Sequence, residues 1–385
     1  MEYVKLGDIC SKIGSGSTPS GGKEAYQGGG YKLIRSQNVH DLAFCWDGLA
    51  EINEVQAIKL KNVTVEANDV LLNITGDSVA RSCIVPSEIL PARVNQHVAI
   101  IRPNPNILDS YYLLSYLQVN QQYLLALAST GATRNALTKR MIEKLTIPLM
   151  PLPAQRKIAS ILSSYDSLIE NNTKRIRLLE QMAENLYKEW FVRFRFPGHE
   201  NTEFVDGLPK GWEKDKLESI CKFERGKNIT SGEMKEGNIP VIAAGVAPSG
   251  FHNQANVHGT SITMSSSGAN AGFIAIHYGD IWAADCSYIS ETSTKNIFYI
   301  YQLLDNLRVV ITNMQRGAAQ PHVYAKDINN LKICIPSKEL RKAANDRLSA
   351  IHKQIYYLQQ QSALLTCQRD LLLPRLMSGK LEVKS

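Results

Sequence analysis

No run of eighteen apolar residues occurs in this chain of 385, so no stretch reads as a membrane-crossing helix. Its start, MEYVKLGDIC, lacks the basic-then-apolar pattern of a secretory leader. Cysteine is sparse and scattered: Cys10, Cys45, Cys83, Cys221, Cys286, Cys334 and Cys367 are odd in number, and no CxxC occurs. That argues against a disulfide framework or a zinc site and for reduced thiols in a cytosol. Charge of neither sign dominates, with 43 Lys plus Arg against 36 Asp plus Glu, a net +7. Such an excess permits a nucleic-acid partner and is equally that of an ordinary solvated surface. Apolar residues at 44% allow sizeable cores, and the length suits two or three domains.

Catalytic signatures are missing too. There is no Asn/Asp-Pro-Pro-Tyr/Phe tetrad of a base-amino methyltransferase, and no nuclease PD…(D/E)xK pattern stands out. GSGSTPSGGK is glycine-rich, but its spacing is wrong for a phosphate-cradling GxxxxGK(S/T) loop. The eight histidines form no HExxH, and no GxSxG elbow occurs. The serines of SSSG at 265–268 read as a turn rather than as nucleophiles. No catalytic residue, metal ligand or cofactor site is expected.

What is present is a repeat. At an offset of 186 residues, GATRNALTKRMIEKLTIPLMP from Gly131 meets GAAQPHVYAKDINNLKICIPS from Gly317. Gly131/Gly317, Ala132/Ala318, Ile142/Ile328, Leu145/Leu331 and Ile147/Ile333 coincide, and the register runs ungapped into Leu162/Leu348, Ile169/Ile355, Leu178/Leu364, Leu179/Leu365 and Leu186/Leu372. KLGDICSKIGSGSTPS from Lys5 meets KLESICKFERGKNITS from Lys216 at an offset of 211, so the first half carries about 25 more residues than the second. The chain reads as globular segment, helix, globular segment, helix.

Each helix carries apolar residues in alternating steps of four and three. Ile158, Leu162, Tyr165, Ile169, Asn172, Ile176, Leu179, Ala183 and Leu186 form one stripe; Ala344, Leu348, Ile351, Ile355, Leu358, Ser362, Leu365, Arg369 and Leu372 form the other. These are heptad seams, and the nearest partner for each is the other copy. Asn172, Ser362 and Arg369 on the seams would cost stability and fix register. Paired antiparallel, helices of about 38 residues would hold two globular segments some 57 Å apart at 1.5 Å per residue. Pro374 is expected to end the second helix. The expected segments are 1–150 (globular), 151–195 (helix), 196–210 (linker), 211–337 (globular) and 338–378 (helix). Within the globular segments, NDVLLNITG, QHVAIIRP and NIPVIAAG are short β-branched runs cut by Gly, Pro or Asn. GTSITMSSSGANAGFIAIHYGDIWAAD aligns with NDVLLNITGDSVARSCIV, Gly268 opposite Gly76. The expected class is α/β (α+β), two globular domains separated by two long antiparallel coiled-coil-like helices in a pseudo-two-fold tandem repeat.

Amide, hydroxyl and basic residues recur in matched loops of both halves. Arg, Asn, Gln and Ser/Thr pair with base edges, while Lys, Arg and backbone N–H groups position phosphates. The candidates are Ser17, Thr18, Arg35, Gln37, Asn38, Arg81, Asn95, Gln96 and Arg134 in the first half. In the second they are Arg225, Lys227, Asn228, Thr230, Ser267, Asn270, Arg316 and Gln320. Residue by residue, each is also an ordinary surface loop residue.

The chain resembles the DNA-specificity subunit of type I restriction-modification enzymes. GLPKGWEKDKLESICKFERGKNITSGE from Gly207 looks like the entry to a second target-recognition domain. PLPAQRKIASILSSYDSLIENNTKRIRLLEQMAENLYKEWFVRFRFPG is similar to the central helical region, and LLLPRLMSGKLEV to the C-terminal end. Ala154 stands where Glu is more usual, and PSKELRKAAND departs further from the pattern. The resemblance implies a non-catalytic, cytoplasmic subunit whose two domains each take one half of a split double-stranded DNA site. Its helices would set the spacing and dock two modification subunits that methylate adenine N6 with S-adenosylmethionine, with restriction and motor subunits joining for cleavage. Half-sites about one helical turn apart, ~34 Å, are expected. The alternatives are a coiled-coil scaffold that binds protein partners through its globular domains, and a methyltransferase or nuclease whose site no motif reveals.

Overall fold

The structure is a computed structural model and describes residues 2–19, 21–26, 28–129, 136–317 and 321–383. It divides into two compact units, Met1–Asn171 with Ser362–Ser385, and Asn172–Gln361. Each unit thus takes one part of each long helix.

The first unit runs β1 (Glu2–Lys5), α1 (Leu6–Ile9), β2 (Cys10–Ser15), β3 (Tyr31–Ile34), β4 (Ala50–Ile52), α2 (Glu54–Lys59), β5 (Thr64–Val65), β6 (Val70–Asn73), β7 (Ser82–Ile84), β8 (Ala92–Val94), β9 (Val98–Pro103), α3 (Ser110–Val119), α4 (Gln121–Ser129), α5 (Lys139–Glu143) and β10 (Thr146–Leu149), and enters α6 (Leu152–Tyr187). The strands lie in sheets ordered β2-β9-β6-β7 and β4-β3-β8-β5, with β1 paired to β10. Successive side chains of a strand point to opposite faces. Val70 and Leu72 therefore enter one core, with Ala99 and Ile101, while Leu71 enters another, with Val98 and Ile100. The unbroken apolar run Val70-Leu71-Leu72, with Asn73 buried at its end, is what a sheet covered on both faces requires.

The second unit opens with the hairpin β11 (Phe204–Val205) and β12 (Leu208–Pro209). It continues through β13 (Glu213–Lys216), β14 (Glu224–Arg225), β15 (Ile239–Ile242), β16 (Gly250–His252), β17 (Thr260–Ser265), β18 (Ile274–Tyr278), β19 (Trp282–Ala283), β20 (Cys286–Ser290), α7 (Ile297–Asn306), α8 (Arg308–Thr312), α9 (Ala325–Asn329) and β21 (Lys332–Ile335) into α10 (Lys338–Met377). Its topology repeats the first. The sheet β14-β20-β17-β18 matches β2-β9-β6-β7, and β13-β21 matches β1-β10. β15 pairs antiparallel with β16 and parallel with β19, as β3 does with β4 and β8. One face differs. Ile262 and Met264 of β17 enter the main core, but the alternate positions are the buried Ser261, Thr263 and Ser265. Thr263 Oγ1 lies 2.8 Å from Nε2 of His277, whose pKa burial pushes down to about 4.

The long helices pair antiparallel, and the predicted seams are buried or half-buried along both stripes. In the first unit Ile158 and Leu162 share a core with Leu372 and Leu376, and Arg369 pairs with Asp166 at 2.6 Å. The Tyr111 hydroxyl also donates to Asp166. In the second unit Ile176, Leu179 and Ala183 share a core with Ala344, Leu348 and Ile351, and Asn172 Nδ2 donates to Gln361 Oε1 at 3.0 Å. The start of α6 is held by Gln155, which is 0% exposed. Its Nε2 donates to the carbonyls of Ile107 and Met150 at 2.9 and 2.8 Å, and its Oε1 accepts from the Asp109 N–H at 3.0 Å. One expectation needs correcting: Pro374 does not end the second helix, which continues to Met377. Leu376 and Met377 are 1% and 4% exposed in the first unit's core, and their burial holds one more turn past the proline. The first helix ends at Tyr187 and a π-helical turn, Lys188–Val192, follows, burying Trp190 and Phe191.

Candidate nucleic-acid interface

Both units gather their candidate loops at one end of the sheets, and the same contacts do it in each. Gly16 follows β2 and leaves no room for a side chain: a Cβ there would stand 1.7 Å from the Val94 carbonyl oxygen. A Cβ on Gly226, after β14, would stand 2.4 Å from that of Ala284. The Asn95 N–H donates to the Ile34 carbonyl, as the Ala284 N–H does to that of Ile242. Beyond β6 and β17 the chain turns through Gly76 (φ +78°) and Gly268 (φ +77°), a left-handed conformation that glycine takes without strain. The turn is closed by Ala80 N–H to Asn73 O at 2.9 Å, and by Gly272 N–H to Ser265 O at 2.8 Å. A later segment then bridges each turn, Ala136 to Thr75 and His322 to Ser267.

In the first unit this end holds Ser17 and Thr18, both exposed, beside the Asn95–His97 segment. Thr75 Oγ1 lies 2.5 Å from His97 Nδ1, and Gln96 Nε2 lies 3.0 Å from His97 Nε2. Asn73 Nδ2 donates to the carbonyls of Ser36 and Val39, which draws the loop after β3 to the same place. There Arg35 and Gln37 both donate to the Gly48 carbonyl, at 2.6 and 3.2 Å.

In the second unit Arg225, Asn228, Thr230 and Ser267 line one groove of about 500 Å³ together with Asp285 and His322. Ser267 Oγ donates to Asp285 Oδ2 at 2.7 Å, and an Arg225 nitrogen is 3.9 Å from Asp285 Oδ1. Thr230 donates its N–H and hydroxyl to Glu233, each at 2.8 Å, and these bonds hold that carboxyl below its usual range. Lys227 lies in an adjoining hollow with Lys235, His252 and Trp282. Asn270 is exposed on the glycine turn. Arg316 exchanges backbone hydrogen bonds with His322, and its guanidinium pairs with Asp327 at 2.9 Å.

Not every candidate is displayed at the surface. Asn38 is 0% exposed: its Oδ1 accepts from the Arg35 N–H and its Nδ2 donates to the carbonyls of Cys45 and Asp47. It holds a loop and presents nothing outward. Asn95, 8% exposed, likewise spends its Oδ1 on the His97 N–H. Arg81 is half-buried where the turn rejoins β7, its carbonyl accepting from Asn73. Arg134 and Gln320 lie outside the described residues. Sequence reasoning missed Thr75, His97, Asp285 and His322, whose partners are distant in the chain. It also passed over Trp46, 52% exposed in the loop that Arg35 binds.

Two copies of one α/β module, each entering its own long helix, define the class of protein. A family model described as the type I restriction modification DNA specificity domain matches residues 1–181 and again 209–366, and the chain belongs to that family. It is similar to the type I restriction enzyme MjaIX specificity subunit of Methanocaldococcus jannaschii, 27% identical, with 100% of this chain and 94% of the relative covered. It is also similar to the HindI specificity subunit of Haemophilus influenzae, 21% identical, covering 82% of this chain and 87% of the relative. The crystal structure of a type I restriction-modification S subunit from M. genitalium has the same fold. Its TM-score is 0.65 at 18% identity, with 100% of this chain and 96% of that one covered. Among the described residues no helix is long and apolar enough to cross a membrane, and no cluster of three metal-ligating side chains occurs.

Proposed function

We propose that the chain selects DNA for a type I restriction-modification complex in the cytoplasm and performs no chemistry itself. The regions 1–150 and 211–337 act as target-recognition domains, each taking one half of a split, asymmetric site on double-stranded DNA. The two long helices set the distance between half-sites and dock two modification subunits that methylate adenine N6; restriction and motor subunits join them for cleavage. The observation that carries this reading is the matched loop end of the two units: the same glycine-packed framework presents different polar side chains in each copy. A duplicated frame with unlike readers suits two half-sites of unlike sequence. Single-molecule methylome sequencing of the source strain, with and without the gene, tests it. Loss of N6-methyladenine from one split, asymmetric motif is expected. A continuous or palindromic motif would refute the bipartite reading. Unchanged methylation, with no shift of bipartite DNA by the purified complex, would favour a protein-binding scaffold.

A further inference from the structure

We propose that Asp285 is a specificity-determining residue of the second unit, accepting a hydrogen bond from the exocyclic amino group of a cytosine or adenine. The inference rests on the DNA-selecting function proposed above and deepens it.

The repeat locates the residue. Asn95 and Ala284 make the same backbone bond to the end of the neighbouring parallel strand, at Ile34 and Ile242. Val98 lies opposite Asn73, as Cys286 lies opposite Ser265. Asp285 therefore occupies the place that Gln96 and His97 fill in the first unit. Each position contacts the hydroxyl of its glycine turn, His97 through Thr75 and Asp285 through Ser267. The framework is the same, but a carboxylate replaces an amide and an imidazole.

Among the described residues lining the groove with Arg225, Asn228, Thr230, Ser267 and His322, Asp285 is the one acid. Ser267 fixes its Oδ2 at 2.7 Å. Oδ1 makes no hydrogen bond among the described residues; the nearest cation, on Arg225, is 3.9 Å away, beyond hydrogen-bond reach. The side chain is 38% exposed, so Oδ1 is held in place and open to a ligand. A carboxylate is a poor neighbour for phosphate, since like charges repel without compensation. On the major-groove edges of DNA the hydrogen-bond donors are cytosine N4 and adenine N6, and an acid pairs with such a donor. A carboxylate fixed among cationic and amide side chains is thus matched to an amino-bearing base edge. The first unit, with Gln96 and His97 there, would favour a different base at its equivalent position.

Asp285→Asn separates this role from the alternatives. The amide keeps an acceptor for Ser267, so the fold is preserved, but it loses the charge. Wild-type and variant chains, each assembled with the modification subunits, would methylate a randomised DNA library that is then sequenced. Wild type should show one position of one half-site restricted to cytosine or adenine. The variant should relax or change that position about tenfold or more, with the other half-site untouched and serving as a control for folding. An unchanged motif overturns the proposal. So does a gain in binding to all sequences with an altered salt dependence, which would make Asp285 a phosphate-repelling surface acid. If the wild-type complex yields no split motif, the proposed function falls first and takes this inference with it.

Discussion

Removing Asp166 should destabilise the chain by about 3–4 kcal/mol. Its carboxylate pairs with Arg369 at 2.6 Å and accepts the Tyr111 hydroxyl; the Asp166 and Arg369 side chains are only 16% and 15% exposed. Burial, and then Asp166 itself, push the Tyr111 hydroxyl well above its usual pKa, so it stays a donor at all working pH. Breaking a buried ion pair by deleting one partner costs about 3–5 kcal/mol, because the other charge stays behind. Here Asp370, 2.8 Å from Arg369 but 58% exposed, still partly compensates the guanidinium, which argues for the lower end. The stranded Tyr111 hydroxyl adds about 1 kcal/mol. Asp166→Ala and Arg369→Ala should each lower the free energy of unfolding in urea. The pair Asp166→Leu with Arg369→Leu should recover most of the loss, since it leaves no unpaired buried charge and only the Tyr111 hydroxyl stranded. A loss below about 1 kcal/mol for Asp166→Ala, or a double variant whose loss is the sum of the singles, would refute a buried, coupled pair.

Gln155→Leu keeps the side-chain volume but strands the Asp109 N–H and the Ile107 and Met150 carbonyls, so a loss of about 3 kcal/mol is expected in the same urea assay. Burial lowers the pKa of His277 and His352 to about 4, against about 6.5 unfolded. Their neutral forms therefore contribute in full above pH 6.5, and stability should fall between pH 6.5 and 4 by up to about 3 kcal/mol for each. His352→Gln should flatten that fall by roughly half in melts at a series of pH values. Gly16→Ala and Gly226→Ala force a methyl against backbone oxygens at 1.7 and 2.4 Å, and each should abolish methylation of the split motif while the long helices, followed by circular dichroism, persist. Arg225→Ala should reduce the salt slope of DNA binding by about one if the guanidinium meets phosphate, or change one base preference if it meets a base; neither change would remove it from the interface.

The helices were legible because their pattern is local. A stripe in steps of four and three needs no tertiary knowledge, and Asn172 and Arg369 stood out as polar interruptions of it. Their partners Gln361 and Asp166 did not, since these lie off the counted stripes and only antiparallel pairing brings them near. The proline at 374 misled because its local preference was outweighed by burial of Leu376 and Met377. The loop candidates were chosen by residue type, which cannot tell an outward amide from an inward one. Asn270 and Asn38 look alike in sequence, yet Asn270 is exposed on its turn and Asn38 is spent on its own loop. The ligands of the glycine turns were invisible because Thr75 meets His97, and Ser267 meets Asp285, across strands whose pairing the sequence does not state.

The uneven conservation of length between the two copies has a mechanical cause. Between Ile34 and Asn73 the first unit carries a longer path than the second does between Ile242 and Ser265, including α2, β5 and the Trp46 loop. Lengthening a surface loop costs little closure entropy, and loops carry recognition side chains on a framework that does not change. The stretch from Leu137 through Leu186 keeps an ungapped offset from its counterpart, Val323 through Leu372. A single extra residue in a helix would turn every later position by about 100°, moving Ile176 and Ala183 out of the seam and placing charged neighbours in it. The helices are therefore held to one length by their own pairing, and the loops are free to differ. Divergence in this chain collects where the side chains that would distinguish one half-site from the other are displayed.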